Sequence, residues 1–278
     1  MKLGVSMWSV VHEYQKGNLD GERFINLMHD HGVQGVELLD FFWKDKETEL
    51  PRAVDKIKQY HMEVACYSIG NDFVASCPEE REKQMEYVRE GIDDAVKIGA
   101  NKLRVFSGNP KEGITYEQGR EWIIDCFREV VKYAEQKDII LVLENHGLFA
   151  GKSTQVKEII EKVASPNLRA AADTGNFLLV GEKPEEAVRN LEGYISHVHF
   201  KDFKRAEAGK GYKGVDDLYY EGCILGEGEV DLEKIVEILK EANYQDYLAI
   251  EYEGGDPQIE GTVKSIEYVR QLWGGLNS

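Results

Sequence analysis

The sequence predicts a single-domain α/β protein, a closed parallel (β/α)8 barrel. Short β-rich runs alternate eight times with longer amphipathic stretches. The 278 residues include no Pro/Gly/Ser-rich linker and no break in composition of the kind that marks a domain boundary. Eight βα units in about 250 residues match the size of such a barrel, and an open doubly wound sheet would be expected to carry a glycine-rich nucleotide loop. We therefore expect residues 1–278 to form one domain.

Each strand is predicted from a short run of apolar and β-branched residues. The eight predicted strands are Leu3 to Met7, Gly35 to Leu39, Glu63 to Ser68, Lys102 to Phe106, Ile139 to Glu144, Leu168 to Asp173, Ile195 to Lys201 and Tyr247 to Tyr252. Apolar residues at helical spacing predict a helix over 79–98, which Gly99 ends, and another over about 115–136. Both helices are expected to cover the sheet.

Charge and cysteine content exclude several classes of protein. The 34 Lys and Arg residues against 51 Asp and Glu residues give a net charge of −17, which repels phosphate backbones and disfavours a nucleic-acid partner. The longest apolar runs are far shorter than the roughly 20 residues of a membrane helix, so no membrane partner is expected. The four cysteines are far apart and form no CxxC pair, which favours a reducing, cytoplasmic location over a disulfide framework or zinc knuckle.

Polar residues at the ends of the last four strands break the apolar pattern. Strand five ends in Glu144, with His146 two residues further on the same face, and strand six ends in Asp173. Strand seven presents His199, and strand eight presents Glu251. Because parallel barrel strands are buried on both faces and build their sites at the carboxyl ends, these side chains should point at a common axis.

A bound divalent cation would explain why three carboxylates and one imidazole are placed together. Three buried carboxylates without a counter-charge would repel one another, whereas a metal ion stabilises all of them in the ionised form. Oxygen-rich ligation with one nitrogen favours Mn²⁺, with Mg²⁺, Co²⁺ and Zn²⁺ as alternatives. The competing interpretation is that each acidic residue only caps the helix after its strand, but four such residues in register favour a site. We predict one metal ion bound by Glu144, Asp173, His199 and Glu251.

The sequence resembles the xylose isomerase-like TIM barrel superfamily of sugar phosphate isomerases and epimerases in seven short motifs, which occur in order over nearly the whole chain. This superfamily includes tagatose 3-epimerase-like enzymes, inosose dehydratases and 3-dehydroshikimate dehydratases. The motifs are GVELLD at 35–40, LRVFSG at 103–108, VLENH at 142–146, AADTGN at 171–176, HVHFKD at 197–202, GEGEVD at 226–231 and IEYEG at 250–254. The resemblance implies that the four predicted ligands hold one divalent metal and that Glu144 and Glu251 act as catalytic bases.

The resemblance also bears on three further residues. His146 matches a catalytic-base histidine of the 3-dehydroshikimate dehydratase-like relatives, whereas the other interpretation is a solvated loop histidine. Arg205 matches an arginine that contacts substrate in the epimerases. Asn176 stands where those epimerases usually have a histidine, so the expected substrate contact becomes an uncharged amide.

The predicted activity is that of a sugar, sugar phosphate or cyclitol isomerase or epimerase. A metal ion lowers the pKa of a C–H next to a carbonyl and stabilises the enediolate that forms, and two opposed glutamates could remove and return the proton. The alternative is a dehydratase, in which the same intermediate expels a β-hydroxyl and His146 is the base. Two other classes of protein are disfavoured. A DNA-repair nuclease resembling endonuclease IV would need more histidines at the strand ends than this sequence has. A non-catalytic sugar-binding protein would have no need of the complete set of four metal ligands that this sequence carries.

Several other residues are weaker candidates. Lys201 is expected to orient a substrate oxygen, act as an acid or pair with Asp202. Glu37 is a candidate for a substrate hydroxyl or a neighbouring basic group, and Trp8 is a candidate substrate-binding wall. Phe106 and Tyr67 are candidate walls as well, and His197 is expected to be a satisfied core histidine.

A long connection follows the seventh strand. Residues 203–230 are rich in glycine and tyrosine, and a connection of this length in a compact barrel is usually functional. We expect a lid or a subunit contact here, which leaves a homo-oligomer open as an alternative to a monomer. The partner is expected to be a small sugar or cyclitol, and the sequence does not select between free and phosphorylated forms.

Overall fold

The computed structural model describes residues 1–255 and 257–275. Its strands are β1 Lys2–Ser6, β2 Gly35–Leu39, β3 Glu63–Ser68, β4 Lys102–Val105, β5 Ile140–Glu144, β6 Leu168–Asp173, β7 Ile195–Phe200, β8 Phe203–Arg205, β9 Tyr212–Lys213, β10 Tyr219–Gly222 and β11 Tyr247–Ile250. Eight parallel strands close into a barrel in the order β1-β11-β7-β6-β5-β4-β3-β2. The predicted (β/α)8 fold is confirmed, with all eight predicted strands in place.

The helices lie between successive barrel strands and beyond the last one. They are α1 Val11–Gln15, α2 Gly21–Asp30, α3 Lys46–Gln59, α4 Pro78–Ile98, α5 Tyr116–Gln136, α6 Ser153–Val163, α7 Asn176–Leu179, α8 Pro184–Leu191, α9 Leu232–Glu241 and α10 Gln258–Gly275, with short 3-10 turns at Met7–Val10 and Asp40–Phe42. Gly99 ends α4 in the left-handed conformation (φ 76°), which glycine adopts without strain. Thr115 and Gln118 form a capping box that begins α5. Across the described ranges, none of these helices combines the length and apolarity needed to cross a bilayer.

The predicted strand limits differ from the observed ones mainly at the carboxyl ends. The first, fourth, seventh and eighth predicted strands end one or two residues before the predicted limit. The residues that follow the fourth, seventh and eighth strands, Phe106, Lys201 and Glu251, line the cavity described below. Glu251, the first residue after β11, is one of them, and its backbone N–H still donates to the Phe200 carbonyl at 3.1 Å.

The apolar core lies mainly between the barrel and its helices. Inside the barrel, a small cluster of Cys66, Val142 and Ala171 fills the space beneath the carboxyl ends. Strand register then aligns the ends: Asp173 pairs with His199 across β6 and β7. Alternating side chains place both residues above this interior cluster, so the polar groups form the top layer of the barrel interior.

The long connection after β7 carries its own secondary structure. β8, β10 and β9 form an antiparallel three-stranded sheet, where the sequence indicated only a loop. Asp202 anchors the connection by accepting the backbone N–H groups of Gly226, Gly228 and Val230 at 2.9–3.1 Å. The sheet holds Tyr212 at the rim of the barrel mouth, where this residue lines the cavity described below.

Candidate metal centre

The four predicted metal ligands converge at the carboxyl end of the barrel. Glu144 ends β5, Asp173 ends β6, His199 lies in β7 and Glu251 follows β11. One ligand atom from each lies within 4.8 Å of the others, and all four residues are at most 5% exposed. The sequence prediction thus identified four residues that the structure brings to one point.

His199 presents an unpartnered nitrogen to the three carboxylates. Its buried Nδ1 makes no hydrogen bond to any residue that the structure describes, and it lies 3.4 Å from Glu144 Oε2, 3.7 Å from Glu251 Oε2 and 4.0 Å from Asp173 Oδ2. Protein ligands lie about 2.1 Å from Zn²⁺ or Mg²⁺, so two atoms that share one ion are about 3 to 4 Å apart. The separations fit a cation between these groups better than direct hydrogen bonds.

The buried charges at this end of the barrel do not balance. Among the described residues that contact the ligand set or belong to it, four buried carboxylates face two buried cationic side chains, an excess of two negative charges. The groups are Glu37, Glu144, Asp173 and Glu251 against Arg104 and Lys201. Buried charges without counter-charges are costly, and one divalent cation would neutralise this excess.

Burial and mutual charge shift the pKa values of the ligand side chains. Burial raises the pKa of Asp173 to about 7, and the neighbouring Glu144 and Glu251 charges add to this effect. Burial alone would lower the pKa of His199, but Glu251, Glu37 and Glu144 together hold that pKa well above its usual value. Burial opposes ionisation of Glu144 as well, yet His199 and Arg104 hold its pKa below the usual range. The donor set is therefore arranged for positive charge at its centre.

Lys201 contacts the ligand set directly. Its Nζ lies 2.6 Å from Glu251 Oε2, 2.8 Å from Asp173 Oδ2 and 2.9 Å from Glu253 Oε1. The expected alternative of a pair with Asp202 is wrong, because Asp202 accepts the backbone N–H groups of residues 226, 228 and 230 instead. Lys201 lines the cavity over the ligands, where its ammonium group can donate to an oxygen atom.

Glu144 differs from Glu251 in its surroundings. Arg104 Nε lies 3.2 Å from Glu144 Oε2, and Asn176 Nδ2 donates to Glu144 Oε1 at 3.2 Å. Both carboxylate oxygens of Glu144 therefore have a donor or cation beside them. Asn176 also lines the cavity, as expected for a substrate contact, although part of its amide is used within the protein.

A cavity of about 290 Å³ lies over the four ligands. Trp8, Phe41 and Phe106 provide apolar wall, and His146 stands at the side with its ring centroid 4.6 Å from that of Phe106. Trp8 Nε1 donates to Glu253 Oε1 at 2.8 Å. The volume and the mixed lining suit a small molecule with several hydroxyl groups.

Two predicted substrate contacts lie elsewhere. Glu37 is fully buried behind His199, and its oxygens accept from His197, His199 and Ser68 rather than facing the cavity. Arg205 points away from the cavity and pairs with Glu229 at 2.9 Å on the exposed face of the β8-β10-β9 sheet. Neither residue lines the cavity. Strand alternation directs Glu37 beneath the ligand layer, where it meets the neighbouring basic groups that were its expected alternative, His197 and His199.

The structure places the two other candidate wall residues differently, and it buries His197 as expected. Phe106 lines the cavity, but Tyr67 is fully buried in the apolar core and does not. His197 is a buried core histidine with one satisfied nitrogen, since Nε2 contacts Glu37 while Nδ1 has no hydrogen bond.

Sequence reasoning missed Arg104 and Glu253. Arg104 lies inside a short buried strand, and Glu253 lies two residues after Glu251. A charged residue within a buried barrel strand is itself a signal, because such strands are apolar unless they contribute to a site. Both residues line the cavity beside the ligands.

Comparison with known proteins agrees with this architecture. The model of the family described as "Xylose isomerase-like TIM barrel" matches residues 25–272. An inosose dehydratase of Clostridium beijerinckii is 26% identical over 280 residues, covering 91% of this chain and 90% of that protein.

Solved structures give the same fold. A D-tagatose 3-epimerase-like protein superposes with a TM-score of 0.77 at 22% identity, over 100% of this chain and 98% of that one. The IolI protein, crystallised with a bound zinc atom, has a TM-score of 0.77 at 16% identity, with 98% of each chain covered. Since the family model spans most of the sequence, this chain belongs to the xylose isomerase-like TIM barrel family.

Proposed function

We propose that this protein is a divalent-metal-dependent dehydratase of a polyhydroxylated ketone such as a keto-inositol. It removes the proton next to the carbonyl carbon and eliminates the β-hydroxyl as water. Glu144, Asp173, His199 and Glu251 would hold the cation, and their oxygen-rich set favours Mn²⁺. The likeness to an inosose dehydratase over 91% of the chain supports this reaction class.

The unequal surroundings of the two glutamates carry the proposal. A catalytic base must have a free lone pair and a pKa near the working pH. Glu144 has Arg104 and Asn176 beside its two oxygens, and its pKa is held below the usual range, so it is a poor base. A reaction that needs two exchangeable glutamates is therefore less well supported than one that uses other groups.

His146 and Lys201 are those groups. His146 is exposed to the cavity and unpaired among the described hydrogen bonds, so we assign it the role of base. Lys201 is a buried ammonium that lines the same cavity. Burial opposes its charge, but Asp173, Glu251 and Glu253 hold its pKa well above the usual value, so we assign it the role of a charged hydrogen-bond donor to the departing hydroxyl. His146 takes the proton from carbon and passes it to the departing hydroxyl. The C–H and C–O bonds break, a C=C bond forms, water leaves, and His146 returns to its neutral form.

A bound divalent cation supplies Lewis-acid stabilisation of the negative charge that develops on the substrate. The protein's own side chains supply the remaining steps. Trp8 and Phe106 exclude water from the ring of the substrate, and Asn176 offers an amide to one of its hydroxyls. These roles do not require a phosphate group on the substrate.

The second candidate is the isomerase or epimerase expected from the sequence. One observation favours it: Glu144 and Glu251 both line the cavity, on the same cation site. In that reaction Glu251 would take the proton and Glu144 would return it. The fold shared with a D-tagatose 3-epimerase-like protein is compatible with both candidates.

A single experiment separates the candidates. Manganese-loaded protein is incubated in D₂O with a keto-inositol and, separately, with D-tagatose, and both reactions are followed by ultraviolet absorbance and NMR. We expect an unsaturated ketone from the keto-inositol only. Deuterium incorporation into D-tagatose with no absorbing product would support epimerisation, and no change in either compound would contradict both proposals.

A further inference from the structure

Glu37 lies beneath the metal ligands as a fully buried carboxylate with three donors. Ser68 Oγ donates to Oε1 at 2.6 Å, and the Nε2 atoms of His197 and His199 lie 2.8 and 2.9 Å from Oε2. All four residues are completely inaccessible to solvent. The cavity lining does not include Glu37, so it has no route to a substrate.

The contact fixes the tautomer of His199. An ionised carboxylate only accepts hydrogen bonds, so the Nε2 atom beside it must carry a proton. A neutral imidazole has one N–H, and its other nitrogen is then a lone-pair donor. With Nε2–H directed at Glu37, Nδ1 of His199 faces Glu144, Asp173 and Glu251 as a ready ligand atom.

His197 and Ser68 keep Glu37 in place. His197 also directs Nε2 at Glu37, and its ring stands nearly perpendicular to that of His199, at 86°. Ser68 occupies the other oxygen. The carboxylate therefore cannot rotate without losing a buried hydrogen bond, which costs about 1 to 3 kcal/mol.

Glu37, His197 and His199 could themselves be taken for a metal site, since their ligand atoms lie within 4.8 Å. Their N···O separations of 2.8 and 2.9 Å are those of charge-assisted hydrogen bonds. Two ligands of one ion are generally further apart. Hydrogen bonding accounts for this cluster without an ion.

We infer that Glu37 is a positioning residue for the cation: it acts through His199, and His197 and Ser68 hold it there. The inference rests on the proposed cation site. Outer carboxylates of this kind usually contribute about 10- to 100-fold to metal affinity.

Mn²⁺ affinity of chelator-treated protein, measured by isothermal titration calorimetry, tests the inference. We expect Glu37→Gln to bind Mn²⁺ about 10- to 100-fold more weakly than wild type, because a neutral amide can turn its NH₂ group towards His199. Ser68→Ala keeps the charge and should lose only a few-fold. Glu63→Gln is the matched control: Glu63 begins the neighbouring strand at the opposite end of the barrel, and wild-type affinity is expected.

Circular dichroism of each metal-free variant shows whether the variant is folded, so that weaker Mn²⁺ binding can be distinguished from unfolding. Equal Mn²⁺ affinity of folded Glu37→Gln and wild type would overturn the inference while leaving the cation site intact. Failure of wild type to bind Mn²⁺ would instead overturn the site itself.

A second measurement needs no variant. Long-range ¹H–¹⁵N NMR of zinc-loaded wild type with ¹⁵N-labelled histidine reports which nitrogen of His199 is protonated. A proton on Nε2 and zinc on Nδ1 are expected. The reverse arrangement would overturn the inference even if Glu37→Gln did not fold.

Discussion

Nζ of Lys201 lies 2.6 Å from Oε2 of Glu251. The same ammonium group is 2.8 Å from Asp173 Oδ2, so it contacts two of the four side chains assigned to the cation. Five carboxylates lie within 4.0 Å of Lys201 or His199: Glu37, Glu144, Asp173, Glu251 and Glu253. A proton, an ammonium group and a metal ion therefore compete to neutralise the same carboxylate oxygens.

Lys201→Met should strengthen cation binding and abolish turnover. Two unit charges about 4 Å apart repel appreciably even in a polar protein interior, so we expect Mn²⁺ affinity to rise roughly tenfold, equivalent to about 1.4 kcal/mol. Loss of the hydrogen-bond donor to the departing hydroxyl should lower kcat by about 10²- to 10³-fold. Calorimetry and the elimination assay check the two effects, with the exposed Lys234→Met as control. Weaker Mn²⁺ binding by Lys201→Met would show that the lysine assists the cation.

His146→Gln tests the assignment of the base. Because His146 is exposed and its described contact is with the Phe106 ring, the fold should be unaffected. We expect kcat for elimination to fall by about 10²- to 10⁴-fold, with unchanged Mn²⁺ affinity. His31→Gln is the matched control, because His31 is the residue that follows α2 and does not line the cavity. Full activity of the His146 variant would remove the basis for its role.

Arg104→Met breaks a buried ion pair. Arg104 is the cation beside Glu144 and also donates to the Ile69 carbonyl at 2.7 Å. Leaving a buried carboxylate without its partner costs about 3 to 5 kcal/mol, whereas an exposed pair such as Arg128 with Asp125 contributes at most about 1 kcal/mol.

Urea denaturation of the metal-free proteins measures this difference between Arg104→Met and Arg128→Met. A loss below about 1 kcal/mol for Arg104→Met would mean that the pair is solvated in solution.

Cation binding should strengthen as pH rises through about 7. Asp173, whose pKa burial raises to about 7, holds a proton below that pH, and His199, whose pKa the carboxylates raise despite burial, holds one as well. Both protons compete with the cation, so binding releases protons and the apparent affinity increases with pH. Calorimetry in buffers of different ionisation enthalpy counts the released protons. Affinity that is independent of pH on both sides of 7 would contradict this account.

The sequence predicted the barrel well because its signals are local. Runs such as Ile139 to Glu144 combine a buried apolar segment with an acidic end, and period-two alternation then fixes which face Glu144 occupies. The same reasoning predicted Asp173, His199 and Glu251.

Other features depend on contacts that are distant in sequence. Glu37 and Arg104 share the inward face of their strands with the ligands, but only the closed barrel reveals that one lies behind His199 and the other beside Glu144. Arg205 faces away because β8 pairs with β10, a pairing set by the geometry of the long connection and not by a periodic pattern. Lys201 pairs with Glu251 and not with its neighbour Asp202, because the Asp202 carboxylate accepts hydrogen bonds from backbone N–H groups 24 to 28 residues further along the chain.

Metal content tests the central claim most directly. Chelator-treated protein is dialysed against Mn²⁺, and bound manganese is measured by elemental analysis for wild type, Asp173→Asn and the exposed Asp55→Asn control. The side-chain amide of Asp173→Asn can still accept from the Gly175 and Asn176 N–H groups, so this variant should fold. We expect one ion per chain in wild type and in the control, and little in Asp173→Asn. Wild-type protein that retains no ion, or a folded Asp173→Asn that retains as much as wild type, would contradict the proposed centre.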